Sequence, residues 1–212
     1  MTDARGRFIT LEGGEGAGKS TQIRLLADWL RGQGLDVVLT REPGGSPSAE
    51  AIRTLLVTGE PDRWRPLTES MLHFASRHQH MEDTIRPALD RGSWVVCDRF
   101  ADSSIAYQGY GLGVDRSHLD ALYRLAVGDR VPDLTLILDI PPETGMARAA
   151  SRGGDDRYER MGLDFHRRLR AAFLDIARRE PDRCVVLDAD RPPEDVHASV
   201  RRAVLERLGG AS

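Results

Sequence analysis

A glycine-rich segment near the start of the chain has the residue types and spacing of a phosphate-binding loop. The segment GGEGAGKS, residues 13–20, fits the pattern G-x-x-x-x-G-K-[ST]. Glycines let successive backbone N–H groups point at phosphate oxygens, and the N-terminus of a following helix adds a partial positive charge. We expect Lys19, the single lysine of the chain, to reach the β- and γ-phosphates of a nucleotide and the hydroxyl of Ser20 to ligate Mg²⁺.

A second set of charged residues follows two predicted strands. Asp98 and Arg99 stand at the end of an apolar segment at 93–98, and Arg41 follows another at 36–40. Open α/β sheets bind ligands at the carboxyl ends of their strands. An aspartate there can hold Mg²⁺ or its waters, and an arginine can clamp a phosphate with its planar fork of donors. The sequence therefore predicts a second anion site beside the first, as a small-molecule kinase needs for its acceptor.

A third basic cluster lies in the segment MARAASRGGDDRYER at about 146–160. Arg148, Arg152 and Arg157 flank a glycine pair between two helical stretches. This composition fits a small lid that closes over the donor nucleotide, and equally a solvated charged loop.

The elements that position these residues alternate between short apolar strands and amphipathic helices. Strands are predicted at 7–12, 36–40, 93–98, 134–140 and 183–189, and helices at about 19–31, 47–57, 66–90, 115–128 and 193–208. The strands are rich in Val, Ile and Leu and are separated by helices, which predicts a parallel sheet covered on both faces. We therefore expect an α/β fold over residues 1–212: a single domain of three layers, α/β/α, with a five-stranded parallel sheet. The apolar stripe of helix 66–90 is formed by Leu67, Met71, Phe74, Ile85 and Leu89.

Composition narrows the function. Hydrophobic residues make up 40% and charged residues 30%, with a net charge of −3, which is typical of a soluble globular protein with no overall attraction to nucleic acid or membrane. No apolar stretch resembles a signal peptide or a membrane span, so a cytoplasmic protein is expected. Cys97 and Cys184 lie far apart in apolar strands and are predicted to be core residues.

Two other possibilities are disfavoured by the residues. The chain contains no asparagine, which excludes the guanine-reading motif N-K-x-D, and it has no D-x-x-G switch segment. His78 and His80 are two residues apart on a predicted helix, so their side chains point in different directions and do not predict a metal site.

With these motifs in place, the chain resembles the bacterial thymidylate kinase family along nearly its whole length. The matching blocks, in the order and spacing of the family, are FITLEGGEGAGKST, TREPGG, ASRHQHMEDTIRPAL, VVCDRFADSSIAYQGYG, PDLTLILD, RAASRGGDDRYE and VVLDADRPPEDV. The resemblance implies a P-loop kinase fold, ATP and Mg²⁺ as cofactors, dTMP as the acceptor, and a homodimer.

The resemblance also implies individual roles. Glu15 matches an acid that contacts the 3′-hydroxyl of the acceptor sugar, and Arg77 an arginine that reaches the thymine ring. Ser104 and Gln108 match positions beside the base. Tyr107 matches a tyrosine that crowds the 2′ position of the sugar.

Arg99 would clamp the dTMP phosphate, and Asp98 would help to position Mg²⁺. Arg152 and Arg148 are the lid residues expected to contact ATP.

The chain departs from the family pattern at a few positions. His73, followed by Phe74, stands where the family usually has a thymine-stacking phenylalanine. Leu112 and Ala150 stand where arginines are frequent.

Together these inferences predict the following site residues. The catalytic set is Lys19, Asp98, Arg99 and Arg152. The nucleotide-binding set is Gly13, Gly14, Glu15, Gly16, Ala17, Gly18, Lys19, Ser20, Thr21 and Arg148. The acceptor-binding set is Glu15, Arg41, His73, Phe74, Arg77, Arg99, Ser104, Tyr107 and Gln108. The metal ligands are Ser20 and Asp98.

The predicted reaction is transfer of the γ-phosphoryl group of ATP to dTMP. Because of His73, a kinase of another deoxypyrimidine monophosphate, such as dUMP or a 5-modified one, is an alternative. A nucleotide-binding regulator without turnover and, more weakly, a nucleic-acid-binding protein are alternatives from other classes.

Overall fold

Five short strands form the centre of the protein in a computed structural model, which describes residues 6–60, 62–151, 153, 157–158 and 160–209. The strands are β1 (Phe8–Glu12), β2 (Val37–Arg41), β3 (Trp94–Asp98), β4 (Leu134–Asp139) and β5 (Cys184–Asp188). They pair in the order β2-β3-β1-β4-β5, and every pairing is parallel. All five carboxyl ends therefore meet at one edge of the sheet, with β1 at its centre.

Helices lie on both sides of this sheet. They are α1 (Lys19–Gly32), α2 (Pro47–Val57), α3 (Pro66–His80), α4 (Arg86–Asp90), α5 (Ala101–Ser104), α6 (Arg116–Ala126), α7 (Pro142–Ala150), α8 (Leu163–Arg179) and α9 (Pro193–Leu208). Two π-helical segments, Met81–Ile85 and Ile105–Gly111, interrupt the chain of helices.

The sheet separates two apolar regions because side chains along a strand alternate between its faces. On β1, Ile9 and Leu11 pack with α1 and α9 on one side. Phe8 packs on the other side, in the cluster that includes residues of α3, α4 and α6. A further cluster on that side joins β4 to α8. The central strands are buried on both faces, whereas the edge strands β2 and β5 are partly exposed.

The predicted fold class and the five predicted strands are confirmed, with small shifts at the ends. Arg41 belongs to β2 rather than following it. Cys97 and Cys184 are buried free thiols, as predicted.

The stretch predicted as one helix at 66–90 has a more complicated structure. It consists of α3, the π-helical segment Met81–Ile85 and α4. Its predicted apolar stripe is only partly right: Phe74, Ile85 and Leu89 are buried, but Leu67 and Met71 remain 38% and 51% exposed. The periodicity identified an apolar face correctly, but α3 packs on α2 and α6 without covering the start of that face.

The packing of α1 against the sheet leads to a stability prediction. Leu26 lies on the buried face of α1 and is completely buried, whereas its neighbour Leu25 is 37% exposed. We expect Leu26→Ala to lower the free energy of unfolding by about 2–5 kcal/mol, because it removes buried apolar area and leaves a cavity. Urea denaturation measures the change. Leu25→Ala, which makes the same change on the same helix, is expected to cost less than about 1 kcal/mol, and equal losses would contradict the packing described here.

Candidate active site

The loop between β1 and α1 has the conformation that a phosphate-binding loop requires. Gly13, Gly16 and Gly18 have φ values of 135°, 69° and 86°, which side chains rarely tolerate. A Cβ atom at Gly16 would also collide with the carbonyl oxygen of Gly145 at the start of α7. The glycines predicted from the motif are therefore needed both for the turn and for close packing against the neighbouring helix.

Lys19 begins α1 and reaches back across this loop. Its Nζ donates to the carbonyl oxygens of Gly13, at 3.0 Å, and Gly14, at 2.8 Å. Burial and the nearby charge of Arg99 lower the pKa of Lys19 to about 8, while Glu15 and Asp98 oppose this shift. The ammonium group is therefore held inside the loop, close to where a bound phosphate chain would lie.

Arg99 lies directly opposite the loop, at the end of β3. It has a φ of 69°, the one positive value among the non-glycine residues that the structure describes. Its guanidinium donates to the carbonyl oxygen of Gly13, at 3.0 Å, and to Oε1 of Glu15, at 2.7 Å. The guanidinium carbon also lies 5.0 Å from the centre of the Tyr107 ring. These contacts fix the guanidinium beside the loop at a cost in backbone strain.

Glu15 is an ionised carboxylate in this arrangement. Burial alone would raise its pKa, but the charges of Arg99 and Lys19 and a hydrogen bond from the Tyr107 hydroxyl, at 2.7 Å, lower it to about 2. A carboxylate at this position can accept hydrogen bonds from a ligand hydroxyl.

Glu12, which was not predicted as a site residue, joins the end of β1 to the loop that carries Arg99. Its Oε1 accepts from the backbone N–H of Phe100, at 2.7 Å, and its Oε2 from the hydroxyl of Ser103, at 2.6 Å. Burial, and to a lesser extent the charge of Asp102, raises the pKa of Glu12 to about 7. The signal in the sequence was a single acidic residue at the end of an otherwise apolar buried strand.

The two predicted metal ligands are brought together. The hydroxyl of Ser20 lies 3.4 Å from Oδ2 of Asp98, and Oδ1 of Asp98 is buried with no hydrogen-bond partner among the described residues. Oxygen donors of this kind suit Mg²⁺, which keeps most of its water ligands and takes only one or two from a protein. The described residues contain no cluster of three or more His, Cys, Asp or Glu side chains that would form a metal cage.

A cleft with about 300 Å³ of interior space extends from the loop towards α3 and the second π-helical segment. Besides Oδ1 of Asp98, three polar atoms buried beside it have no hydrogen-bond partner within the described part of the chain: Nη1 of Arg77, Oγ of Ser104 and Oε1 of Gln108. Buried polar groups are normally paired, so these atoms mark the positions where a ligand would complete the hydrogen bonding.

His73 also lines this cleft and is uncharged at neutral pH. Burial and the charges of Arg77 and Arg157 lower its pKa to about 3. Its Nε2 lies 3.0 Å from the hydroxyl of Tyr158, which in turn donates to Glu69 at 2.7 Å. Arg157, predicted as a basic lid residue, is buried against the same Glu69 rather than facing the phosphate loop.

Most predicted site residues converge on this cleft. Its wall includes Glu15, Gly16, Ala17, Gly18, Lys19, Ser20, Arg41, His73, Arg77, Asp98, Arg99, Ser104, Tyr107 and Gln108. Gly13 and Gly14 face a smaller cavity next to α8. Thr21 lies in the first turn of α1, outside the wall of the cleft.

Three predictions come out differently or fall outside the structure. Phe74 does not line the cleft: its ring is buried in the core and supports the guanidinium of Arg77, 4.6 Å away. Arg148 pairs with Asp190 and the carbonyl oxygen of Ala189, after β5, rather than lining the cleft. Arg152 lies outside the described residues.

A parallel sheet with a lysine-containing phosphate loop after its central strand defines the class of the protein as a P-loop nucleotide-binding protein. The acceptor-sized cleft beside the loop, with Arg99 at their junction, is typical of the kinases in that class.

Comparison with known proteins identifies the family. The sequence model of the thymidylate kinase family matches residues 11–200, and the chain therefore belongs to this family. It is 60% identical to the thymidylate kinase of Caulobacter vibrioides over 97% of this chain and 99% of the relative. It is 54% identical to that of Dinoroseobacter shibae over 92% of this chain and 94% of the relative. The crystal structure of thymidylate kinase from Ehrlichia chaffeensis matches with a TM-score of 0.79 and 36% identity, over 94% of this chain and 99% of the other.

The raised pKa of Glu12 predicts a pH-dependent contribution to stability. Its value of about 7 in the folded chain exceeds the ordinary value of 4.5, so the folded state holds this proton more tightly. Stability from this group is present below about pH 4.5 and is lost as the pH rises through 7. Glu12→Gln keeps an acceptor for the N–H of Phe100, replaces the acceptor for the Ser103 hydroxyl with an amide donor, and cannot ionise. The free energy of unfolding of the variant, measured relative to that of the parent, is expected to increase by about 1–3 kcal/mol as the pH rises from 5 to 8.

Urea titrations at several pH values test this expectation. Glu206→Gln, an exposed position on α9, controls for the loss of one carboxylate. Parallel stability curves for the parent and Glu12→Gln would show that Glu12 does not titrate in this range.

Proposed function

We propose that this protein transfers the γ-phosphoryl group of ATP to dTMP, giving ADP and dTDP. The observation that carries the proposal is a single cleft with two chemically different ends. One end has the phosphate loop with Lys19 and Arg99, and the other has unpartnered hydrogen-bonding atoms on Arg77, Ser104 and Gln108. Membership of the thymidylate kinase family supports the same reaction.

The donor end supports binding of a triphosphate. The backbone N–H groups of residues 13–20 and the N-terminus of α1 favour anionic oxygens, and Lys19 adds a compact charge. Ser20 and Asp98 are the residues that would hold Mg²⁺, which supplies charge neutralisation on the phosphates when it is bound. We also propose that the lid residues Arg148 and Arg152 contact ATP.

At the junction of the two ends, Arg99 is the proposed clamp for the acceptor phosphate. Its guanidinium is preorganised by Glu15 and by the face of Tyr107. A guanidinium binds phosphate oxygens through two parallel hydrogen bonds, which fixes the direction of the acceptor oxygen as well as its position. Catalysis then consists of holding the acceptor in line with the γ-phosphate and neutralising the charge that develops between them.

Glu15 and Tyr107 support recognition of the sugar. The ionised Glu15 is an acceptor suited to the 3′-hydroxyl of the acceptor nucleotide. Tyr107 is buried and is held by its hydrogen bond to Glu15, so its ring can occupy the space beside the sugar that a 2′-hydroxyl would need.

At the other end, the pattern of donors and acceptors fits thymine better than cytosine. Arg77 offers a donor to the O4 carbonyl of thymine, and Oε1 of Gln108 offers an acceptor to its N3–H. Cytosine presents an amino donor at position 4 and an acceptor at N3, so both contacts would be mismatched. A mismatch of buried polar groups is costly, whereas the 5-methyl group that separates dTMP from dUMP contributes only about 1–3 kcal/mol through packing.

We also propose that the protein is a homodimer, as expected from the family. The exposed apolar side chains on two adjacent helices support this: Leu67 and Met71 on α3, and Leu125, 81% exposed, on α6.

None of the described helices is long and apolar enough to span a membrane. A cytoplasmic location remains a prediction.

An acceptor panel tests the proposed substrate. Purified protein with ATP and Mg²⁺ is assayed for ADP formation with dTMP, dUMP, dCMP and no acceptor. We expect dTMP to be preferred over dUMP by at least about tenfold in kcat/KM, or 1.4 kcal/mol, and over dCMP by more. A smaller preference would reject dTMP as the specific acceptor, and the absence of any phosphoryl transfer would favour a regulator without turnover.

Substitution of the two cations at the junction tests the proposed chemistry. We expect Lys19→Ala and Arg99→Ala each to reduce turnover at least about a hundredfold, because each removes a positive charge from the site of transfer. Arg178→Ala, at an exposed position on α8, is the control and should leave turnover unchanged. Circular dichroism verifies that the variants are folded, and near-normal turnover in either site variant would overturn the role of that residue.

A further inference from the structure

Arg77 is held by two hydrogen bonds that leave one guanidinium nitrogen, Nη1, facing the cleft. Its Nε donates to Oε2 of Glu42 at 2.7 Å, and its Nη2 donates to the carbonyl oxygen of Phe100 at 3.1 Å. The Arg77 and Glu42 side chains are 2% and 3% exposed. The direction of Nη1 therefore depends on the orientation of one buried carboxylate.

His80, on the next turn of α3, completes the hydrogen bonding of that carboxylate. Its ring is fully buried, with Nδ1 lying 3.1 Å from Oε1 of Glu42 and Nε2 lying 2.7 Å from the hydroxyl of Thr40. An ionised carboxylate accepts hydrogen bonds and cannot donate them, so Nδ1 must carry the proton in this pair.

We propose that His80 is a positioning residue that, through Glu42, fixes the guanidinium of Arg77 in the orientation that reads the acceptor base. This inference rests on the proposed function and adds a residue that touches no substrate. Without a donor at Nδ1, Oε1 of Glu42 would be a buried, unpaired, charged acceptor. The carboxylate would rotate to relieve this cost, and the rotation would weaken its hold on Nε of Arg77.

The loop that follows β2 is shaped around the His80 ring. Gly45 has a φ of 90°, and a Cβ atom there would collide with Nε2 of His80. Two hydrogen bonds fasten this loop to the helical segment that carries His80. The backbone N–H of Gly44 donates to Ser76 at 3.1 Å, and the hydroxyl of Thr84 donates to the carbonyl oxygen of Gly45 at 3.0 Å. The ring therefore has little freedom to move away from Glu42.

Substitutions at position 80 can separate positioning from packing. The amide nitrogen of asparagine can occupy the place of Nδ1 and donate to Glu42, whereas the longer glutamine places its amide near Nε2. Leucine fills the space and donates to neither partner. We expect His80→Asn to keep the KM for dTMP within about threefold of the parent value, and His80→Gln and His80→Leu to raise it about tenfold.

The same measurements on ATP and dCMP identify where the effect arises. The KM for ATP should stay within about twofold in all variants, since His80 lies away from the phosphate loop. The preference for dTMP over dCMP should fall in His80→Gln and His80→Leu. His78→Asn, which removes an imidazole from an exposed position on the same helix, should match the parent.

The outcomes separate this inference from the proposed function. If the parent protein itself does not prefer dTMP over dCMP, the proposed function fails, and this inference fails with it. If the parent prefers dTMP but all three substitutions act equally, His80 only fills space and the inference alone is wrong.

A measurement on the unmodified protein guards against variants that do not fold. Long-range ¹H–¹⁵N spectra of the imidazole should place a proton on Nδ1 of His80. A neutral ring protonated only at Nε2 would overturn the inference, because that ring cannot donate to Glu42.

Discussion

The site depends on holding two positive side chains, Lys19 and Arg99, close together in one cleft and on compensating their charges with a carboxylate. These two side chains contact the same glycine loop, and their like charges repel each other because the site is poorly solvated. Glu15 lies between them as an ionised carboxylate and donates nothing, so it can accept from Arg99 and from Tyr107 at once. Removing one partner of such a buried ion pair leaves the other charge uncompensated, which destabilises the protein more than replacing both partners by apolar residues.

A parallel sheet makes this arrangement possible. Because β1 lies between β3 and β4, the loop that follows β1 and the residues that follow β3 emerge side by side at the same edge. Glu12 ties these two segments together from beneath by accepting from Phe100 and Ser103. The strained backbone of Arg99 is thus supported by the end of the central strand, whose residues are all buried.

At the end of the cleft away from the phosphate loop, the polar groups are only partly hydrogen-bonded. Arg77 uses two of its nitrogens to hold its position and leaves the third facing the cleft. Gln108 likewise donates to Glu69 through its amide nitrogen and leaves its oxygen without a partner among the described residues. The unpaired polar groups destabilise the empty site, and a ligand with the matching pattern of donors and acceptors removes this cost. The π-helical segment that carries Tyr107 and Gln108 widens one turn of helix, which is a common feature of functional sites.

The sequence was sufficient to predict the alternation of strands and helices, the parallel sheet and the phosphate loop. These features depend on local patterns: apolar segments of five to seven residues, helical periodicity, and the spacing of glycines around Lys19. The edge of the sheet at which Asp98 and Arg99 lie could also be predicted, because the carboxyl ends of parallel strands all meet at the same edge. Even the position of Cys97 in the core required no more than its place in an apolar strand.

Only the tertiary structure decided how side chains from distant segments share hydrogen bonds and burial. Periodicity did not reveal that Phe74 supports Arg77 from behind, that Met71 stays exposed, or that Arg148 pairs with Asp190. It did not distinguish Glu12 or Glu42 from other acidic residues either. A sequence fixes which face of a strand or helix a residue occupies, but hydrogen-bond partners depend on distances between segments that only the packed chain brings within about 3 Å.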